Sequence, residues 1–165
     1  MKDNPASTAH IRGEGYELLA SRLLSERGYA VLVHDESCKH DSDIIVNGVS
    51  VEVKGSKPYS YNGTSHRLGF GFAIKRSTGN MIGCEIVLCL CVSDPIDVFV
   101  IPRVDLGNAH FIAIPNPNPS AYRGKWSKFL NRFDLLDQEI NKENEENAKI
   151  KNTEPTKVPN FAQRN

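Results

Sequence analysis

The sequence predicts an α/β domain in which helices flank a central mixed β-sheet. Three observations support this fold class: a helical pattern near the N-terminus, an Asn-Gly turn between two apolar strands, and an almost continuous apolar run from Glu85 to Val92. The 165 residues suffice for one domain with a sizeable core, which we place at residues 11–137. Residues 1–10 are expected to form a polar lead-in to this domain.

The first predicted element is a helix from Ile11 to Arg27, followed by Gly28 as its C-cap. Its apolar residues recur at spacings of three and four: Tyr16, Leu19, Ala20, Leu23 and Leu24. Glu17 falls on the same stripe as Ala20 and Leu24, so its carboxylate is expected beside the buried row. Glu14 lies on a neighbouring line and is interpreted as an ordinary first-turn acid that the helix dipole favours.

A β-hairpin is predicted around Asn47-Gly48, after a short strand at Tyr29 to Val33 and a polar connection. Asn-Gly favours a two-residue type I′ turn, because both central positions of that turn require positive φ. The turn fixes the register, and the predicted pairs are Val46 with Val49, Ile45 with Ser50, Ile44 with Val51, and Asp43 with Glu52.

This register predicts two acidic side chains directly opposite each other, Asp43 and Glu52. Opposed Cβ atoms lie roughly 5 Å apart, and like charges at that distance are destabilising unless a cation compensates them. Lys54 follows Glu52 by two residues and shares its face, since side chains alternate along a strand. The hairpin therefore predicts a site for a divalent cation; Asp41 is an alternative ligand, although the register favours Asp43.

The second half of the chain predicts further strands and a short helix. We expect a loop from Gly55 to Gly69, a strand with Phe70, Phe72 and Ile74, a central strand at Glu85 to Val92, a strand at Asp97 to Pro102, an edge strand at Phe111 to Ile114, and a helix ending at Leu136. Residues 138–165 are rich in Asn, Glu and Lys, which predicts a charged tail that begins as a fraying helix and passes into disorder.

The formal net charge is zero, so only the distribution of charge is informative. Two stretches lack acidic residues, one between Glu52 and Glu85 and one between Asp105 and Asp134. Their basic residues include Lys57, Arg67, Lys75, Arg76, Arg123, Lys125 and Lys128. Trp126 lies in the second stretch and is either a stacking residue or, more simply, part of the core.

The cysteines do not suggest a disulfide framework, because three of the four, Cys84, Cys89 and Cys91, lie in or beside one apolar run. No signal peptide and no membrane span is expected, which predicts a cytoplasmic protein without membrane association. His34, Cys38 and His40 have a weak zinc-like spacing with no fourth ligand in sequence.

The order of these features resembles the PD-(D/E)xK nuclease superfamily, whose fold is the restriction-endonuclease-like α/β core. The resembling residues span about 11 to 105: Gly13 to Glu17, Leu24, Gly28-Tyr29, Ser42-Asp43 and Val51 to Lys54. The spacing of Glu17, Leu24 and Gly28-Tyr29 along the first helix is similar to that in archaeal Holliday-junction resolvases. The later strands look more like those of small restriction- and homing-type endonucleases. Ser42 occupies the position of the proline in the PD-(D/E)xK motif.

The resemblance implies a Mg²⁺-dependent endonuclease that hydrolyses phosphodiester bonds in DNA, with Mn²⁺ as a substitute metal. The implied metal ligands are Asp43, Glu52, the Val53 carbonyl and Glu17, and the implied catalytic residues are Glu17, Asp43, Glu52 and Lys54. The basic residues of the two acid-free stretches then become candidates for contacts to DNA phosphates. A homodimer is expected, because cutting both strands usually requires two sites. The alternatives are a structure-selective junction resolvase and a catalytically silent DNA-binding module.

Overall fold

The computed structural model describes the chain at residues 5–33, 42–60, 68–74 and 83–153. Its helices are α1 (Pro5–Ser25), α2 (Arg103–Leu106) and α3 (Asp134–Thr153), with short 3₁₀ turns at Pro119–Ala121 and Ser127–Phe129. Its strands are β1 (Val31–Val33), β2 (Ile44–Val46), β3 (Val49–Ser56), β4 (Tyr59–Ser60), β5 (Leu68–Ala73), β6 (Ile86–Cys91), β7 (Asp97–Pro102) and β8 (Phe111–Ile114).

Within these residues the main sheet has five strands in the order β1-β2-β3-β6-β7. Strands β3 and β6 are parallel, and the other neighbours are antiparallel. All six residues of β6 are buried, as its apolar run predicts for a strand covered on both faces. The predicted α/β fold with a mixed sheet flanked by helices is confirmed.

One face of the sheet is covered by α1 and α3. Ala20 and Leu24 of α1, and Leu136 and Ile140 of α3, pack into one buried cluster with the sheet. The sheet contributes every second residue of its central strands: Val49, Val51, Val53, Ile86, Leu88, Leu90, Val98 and Val100. The Tyr29 hydroxyl donates to Asp137 Oδ1 (2.8 Å), which connects the end of α1 to the start of α3.

The opposite face is covered by a second antiparallel sheet, which in the described chain consists of β4, β5 and β8. Phe70, Phe72, Ile112 and Ile114 from this small sheet are buried against the alternate residues of β6 and β7. Trp126 and Phe129 complete the same cluster, so the interpretation of Trp126 as a core residue is confirmed.

Two helices are longer than the sequence indicated. Helix α1 begins at Pro5, inside the segment that we predicted as a lead-in. The predicted short helix through Leu136 is wrong before Asp134, because the chain forms only a 3₁₀ turn at Ser127–Phe129. Helix α3 then runs from Asp134 to Thr153, so the boundary at residues 137/138 falls within it. Ile140 is nearly buried against the sheet, which explains why the helix persists beyond that boundary. The predicted disorder after Thr153 lies outside the described residues.

The described cysteines Cys84, Cys89 and Cys91 are buried free thiols. Burial raises the pKa of the Cys84 and Cys91 thiols to about 12, so both are protonated and unreactive near neutral pH. Among the described residues, none of the helices combines the length and apolar character that a bilayer crossing requires.

Candidate active site

The predicted hairpin register is confirmed for three residue pairs: Ile44 with Val51, Ile45 with Ser50, and Val46 with Val49. Asn47 and Gly48 have φ angles of 49° and 97°, as a type I′ turn requires. The Asn47 side chain also accepts a hydrogen bond from the Ala30 amide (2.6 Å). The turn is therefore fixed both by its own conformation and by the chain that leads into β1.

Asp43 departs from the predicted pairing with Glu52. The paired ladder ends at Ile44, and the Asp43 amide donates to the Val51 carbonyl (3.1 Å). The carboxylate of Asp43 instead accepts a hydrogen bond at Oδ2 from the Val53 amide (2.7 Å). The Asp43 carboxylate is thus held against β3 between the positions of Glu52 and Lys54.

The backbone of β3 has one edge that β2 leaves uncovered. The carbonyls of Ser50 and Ser56 accept hydrogen bonds from Glu85 (3.0 Å) and Val92 (2.8 Å), so these residues direct their backbone groups toward β6. Because this direction alternates along a strand, Val53 and Gly55 direct their N–H and C=O groups toward the opposite edge. Strand β2 pairs only with Val49 to Val51, so the Val53 carbonyl points into the same space as Asp43.

Glu52 is only 6% exposed, and its charge is balanced by an ion pair with Lys54. Its side chain points away from α1, toward the face that carries the small sheet, because Val51 and Val53 occupy the helical face. Cys84 lies close enough that the charge of Glu52 adds to the effect of burial in raising the pKa of its thiol. Glu52 is therefore a buried charged group next to a neutral thiol.

Glu17 of α1 is within electrostatic reach of the other candidate residues. Its pKa is raised, first by burial and then by the negative charges of Asp43, Glu14 and Glu52, while Lys54 lowers it. Tyr16 of the same helix contacts β3, because its ring lies against Gly55. The prediction that Glu17 arrives from the helix beside the hairpin is consistent with this arrangement.

The candidate side chains have the oxygen ligands that a hard cation prefers, but they do not converge on a single position. Asp43, Glu52, Glu17 and the Val53 carbonyl would offer oxygen ligands, which Mg²⁺ and Mn²⁺ prefer. Over the described residues, no three His, Cys, Asp or Glu side chains form a compact cluster suited to a metal ion. Mg²⁺ sites commonly use one or two carboxylates together with water and substrate phosphate, and the residues present fit that pattern.

The predicted DNA-contacting residues are in different environments. Lys57 is exposed and lies three residues after Lys54. Lys128 forms an ion pair with Asp105 (3.1 Å), Arg123 donates to the Ser120 carbonyl (2.7 Å), and Lys125 lies over the ring of Trp126. The remaining candidates are outside the described residues, as are the alternative ligand and the zinc-like set: Arg67, Lys75, Arg76, Asp41, His34, Cys38 and His40.

Two features of the site were not found by sequence reasoning. The Glu85 carboxylate accepts hydrogen bonds from the Ser50 amide (2.8 Å) and hydroxyl, which joins β3 to the start of β6. The contact between Tyr16 and Gly55 was also missed, although a glycine immediately after Lys54 in a strand is a signal of close approach. Both features depend on pairs of residues more than 30 positions apart in the sequence.

The α/β fold of this chain is also found in a solved protein structure. A solved structure of a bacterial homing endonuclease, I-Ssp6803I, superposes with a TM-score of 0.63 over 82% of this chain and 96% of that chain. The two sequences are 15% identical, so the likeness concerns the fold alone. No family model matches the sequence, and no curated protein matches it significantly.

Proposed function

We propose that this chain is a Mg²⁺-dependent endonuclease of the PD-(D/E)xK type that hydrolyses phosphodiester bonds in DNA. The observation that carries the proposal is the placement of Asp43, whose carboxylate is held by the Val53 amide beside Glu52 and Lys54. The shared fold with a homing endonuclease supports it. Mn²⁺ is expected to substitute for Mg²⁺, because both cations prefer oxygen ligands.

In this proposal Asp43 and Glu52 hold the metal directly. The Val53 carbonyl is a further ligand, and Glu17 contributes directly or through a water molecule. Bound Mg²⁺ would lower the pKa of a coordinated water and balance negative charge on the phosphate oxygens. The raised pKa of Glu17 supports this assignment of metal ligands. The negative charges of Asp43 and Glu52 contribute to the raised pKa, and a divalent cation would neutralise the same charges.

Lys54 has the role of orienting the attacking water and balancing charge in the transition state. Its ammonium group pairs with Glu52 in this structure, so it already lies beside a proposed metal ligand. It is partly exposed, which leaves it accessible to a phosphate group. Removing one such charge-stabilising donor typically reduces kcat by about 10²- to 10³-fold.

The proposed substrate is duplex DNA, and the proposed assembly is a homodimer with one site for each strand. Lys57 is the basic candidate best supported as a phosphate contact, because it is exposed and directly follows β3, the proposed catalytic strand that carries Glu52 and Lys54. Light scattering of the purified protein, alone and with DNA, would test the dimer. A monomer in both conditions would contradict it.

The decisive experiment incubates the protein with supercoiled plasmid, linear duplex and a four-way junction, each with Mg²⁺ or EDTA. Wild type is expected to cleave DNA only with Mg²⁺, whereas Asp43→Ala and Lys54→Ala lose at least about 100-fold of that activity. Lys142→Ala is the matched control, because Lys142 pairs with Glu139 on the surface of α3. Its activity should equal that of wild type.

The three substrates also separate the alternatives. Cleavage confined to the four-way junction would replace the proposal with a structure-selective resolvase. Binding of DNA without Mg²⁺-dependent cleavage of any substrate would replace it with a catalytically silent DNA-binding module. Cleavage that persists at the wild-type rate in Asp43→Ala would show that the site lies elsewhere.

A further inference from the structure

A groove begins where the catalytic strand ends. It has a volume of about 500 Å³ and is lined by Tyr16, Gly55, Ser56, Lys57 and Tyr59. That volume is within the roughly 300–1,000 Å³ that ligand pockets usually occupy. Because Gly55 directly follows Lys54, a molecule in the groove would be adjacent to the proposed catalytic residues.

One wall of the groove depends on a glycine. A Cβ atom on Gly55 would lie 2.1 to 2.3 Å from ring carbons of Tyr16, which real structures do not allow. Glycine therefore lets the Tyr16 ring lie directly on the backbone of β3. By the alternation described for Val53, the N–H of Gly55 points away from β6, toward the edge of β3 that β2 leaves unpaired.

The opposite wall is fixed by the small sheet. Tyr59 pairs with Gly69, and its hydroxyl lies 2.6 Å from the position that a Cβ on Gly71 would occupy. The Ser56 hydroxyl accepts from the Gly71 amide (3.3 Å) and donates to the Lys57 carbonyl (3.1 Å). The bond from Gly71 connects the end of β3 to β5 and fixes this wall of the groove.

The chemistry of the lining indicates the kind of ligand. Two tyrosine rings offer flat apolar surface, and Lys57 offers a positive charge. The described lining residues include no carboxylate that would repel an anion. A base that has left the duplex stack and is still attached to its phosphate matches this combination, because aromatic side chains stack on exposed bases with little regard to their sequence.

We propose that this groove binds the nucleotide that flanks the scissile phosphate. Tyr16 and Tyr59 contact its base, and Lys57 contacts its phosphate. The proposal rests on the proposed nuclease function for the identity of the neighbouring phosphate. It makes Tyr16 and Tyr59 positioning residues, which place DNA on the catalytic strand without touching the reacting atoms.

The first test uses cleavage kinetics on a duplex that carries a mapped cleavage site. Replacing the flanking nucleotide with an abasic residue should reduce kcat/KM of wild type about tenfold, within the range measured for loss of a stacked base. Tyr16→Ala should cause a similar loss on the intact duplex and no further loss on the abasic one. Tyr16→Phe keeps the ring and should regain the sensitivity to the abasic site that Tyr16→Ala loses. Tyr59→Ala provides a second variant if Tyr16→Ala is poorly folded.

If the loss from Tyr16→Ala and the loss from the abasic site multiply when the two are combined, the proposal is overturned. Independent losses would show that Tyr16 does not contact that base. Full activity on the abasic duplex would overturn it as well. Gly55→Ala should reproduce the effect of Tyr16→Ala, since the added methyl group displaces the tyrosine ring. Lys142→Ala should retain the full sensitivity of wild type to the abasic site.

A second test does not require cleavage. Duplex DNA with 5-iododeoxyuridine in place of thymidine is irradiated with the wild-type protein in EDTA, and crosslinked peptides are identified by mass spectrometry. Crosslinks at Tyr16 or Tyr59 are expected, and crosslinks only at other residues would overturn the proposal. If wild type cleaves no DNA, the proposed function fails, while this experiment still decides whether the groove binds a nucleotide.

Discussion

At the scale of single residues, Asp43 combines a structural and a proposed chemical role. Its carboxylate accepts the hydrogen bond from the Val53 amide and also contributes to the negative potential at Glu17. Asparagine at this position retains an acceptor oxygen but removes the charge. Alanine removes both, so the two substitutions separate the roles.

We predict that Asp43→Asn raises the melting temperature of the metal-free protein, because it relieves repulsion with the neighbouring carboxylates. Asp43→Ala should lower it, since the Val53 amide loses its acceptor. Both variants should lose any increase in melting temperature that Mg²⁺ causes in wild type. Thermal unfolding in EDTA and in Mg²⁺ measures these effects; an equal decrease in both variants without metal would contradict the repulsion.

The raised pKa of the Glu17 carboxyl group predicts that the stability of the protein depends on pH. Its pKa in the folded protein is raised above the usual value of 4.5, first by burial and then by Asp43. The folded state then binds this proton more tightly than the unfolded state does, so Glu17 lowers stability as pH rises through the interval above 4.5. Below pH 4.5 both states are protonated and the penalty disappears.

Glu17→Gln is therefore expected to be more stable than wild type at pH 7 in EDTA, and the difference should shrink toward pH 4. Urea unfolding at several pH values measures it. Glu26→Gln is the control, because Glu26 is exposed and pairs with Arg22 on the same helix. A stability difference for Glu17→Gln that does not change with pH would contradict the assigned cause.

At the scale of elements, α3 shows how tertiary packing extends a helix that composition disfavours. Residues Asp134 to Thr153 are mostly polar, and Leu136 and Ile140 are the buried apolar anchors in the helix. We predict that Ile140→Ala destabilises the protein by about 2–4 kcal/mol. Ile150→Ala should change stability by less than about 0.5 kcal/mol, because Ile150 is 63% exposed.

Denaturant unfolding of these two variants distinguishes a docked helix from a loosely attached one. If both substitutions have equal and small effects, α3 does not contribute to the core beyond Leu136. Ending the chain at residue 137 should destabilise it at least as much as Ile140→Ala does, because Ile140 is removed. That outcome would place the domain boundary after α3.

The hairpin and α3 also show what the sequence could and could not predict. Asn47-Gly48 carries a strong local signal, since backbone conformation alone selects the turn and with it the register of β2 and β3. Asp43 lies just beyond the ladder, where side-chain hydrogen bonding replaces strand pairing. Local pattern cannot predict that change, nor the contact of Tyr16 with Gly55, because both depend on how elements pack.

At the scale of the whole molecule, the described residues Lys57 and Lys128 lie beside different strands of the main sheet. Lys57 follows β3, whereas Lys128 lies in the segment after β8 and pairs with Asp105. Segment Ser127–Phe129 packs beside β7, which is separated from β3 by β6. We therefore expect the two lysines to contribute differently to DNA binding.

Lys57→Ala is predicted to reduce the slope of log K against log salt concentration by about 0.9, the contribution of one phosphate contact on duplex DNA. Lys128→Ala removes the same charge and should leave the slope nearly unchanged. Fluorescence anisotropy at several salt concentrations, in EDTA, measures both slopes. Equal reductions would indicate that the DNA extends to the β7 side of the sheet.

The hydrogen bond from the Val53 amide to Asp43 makes one backbone proton a sensor of the proposed metal site. A cation on the Asp43 carboxylate would withdraw electron density from the acceptor, so the amide resonance of Val53 should shift when Mg²⁺ is added. The Val92 amide, which donates to the Ser56 carbonyl at the far end of the same strand, provides an internal reference. Nuclear magnetic resonance could thus follow metal occupancy at the strand edge without any substrate.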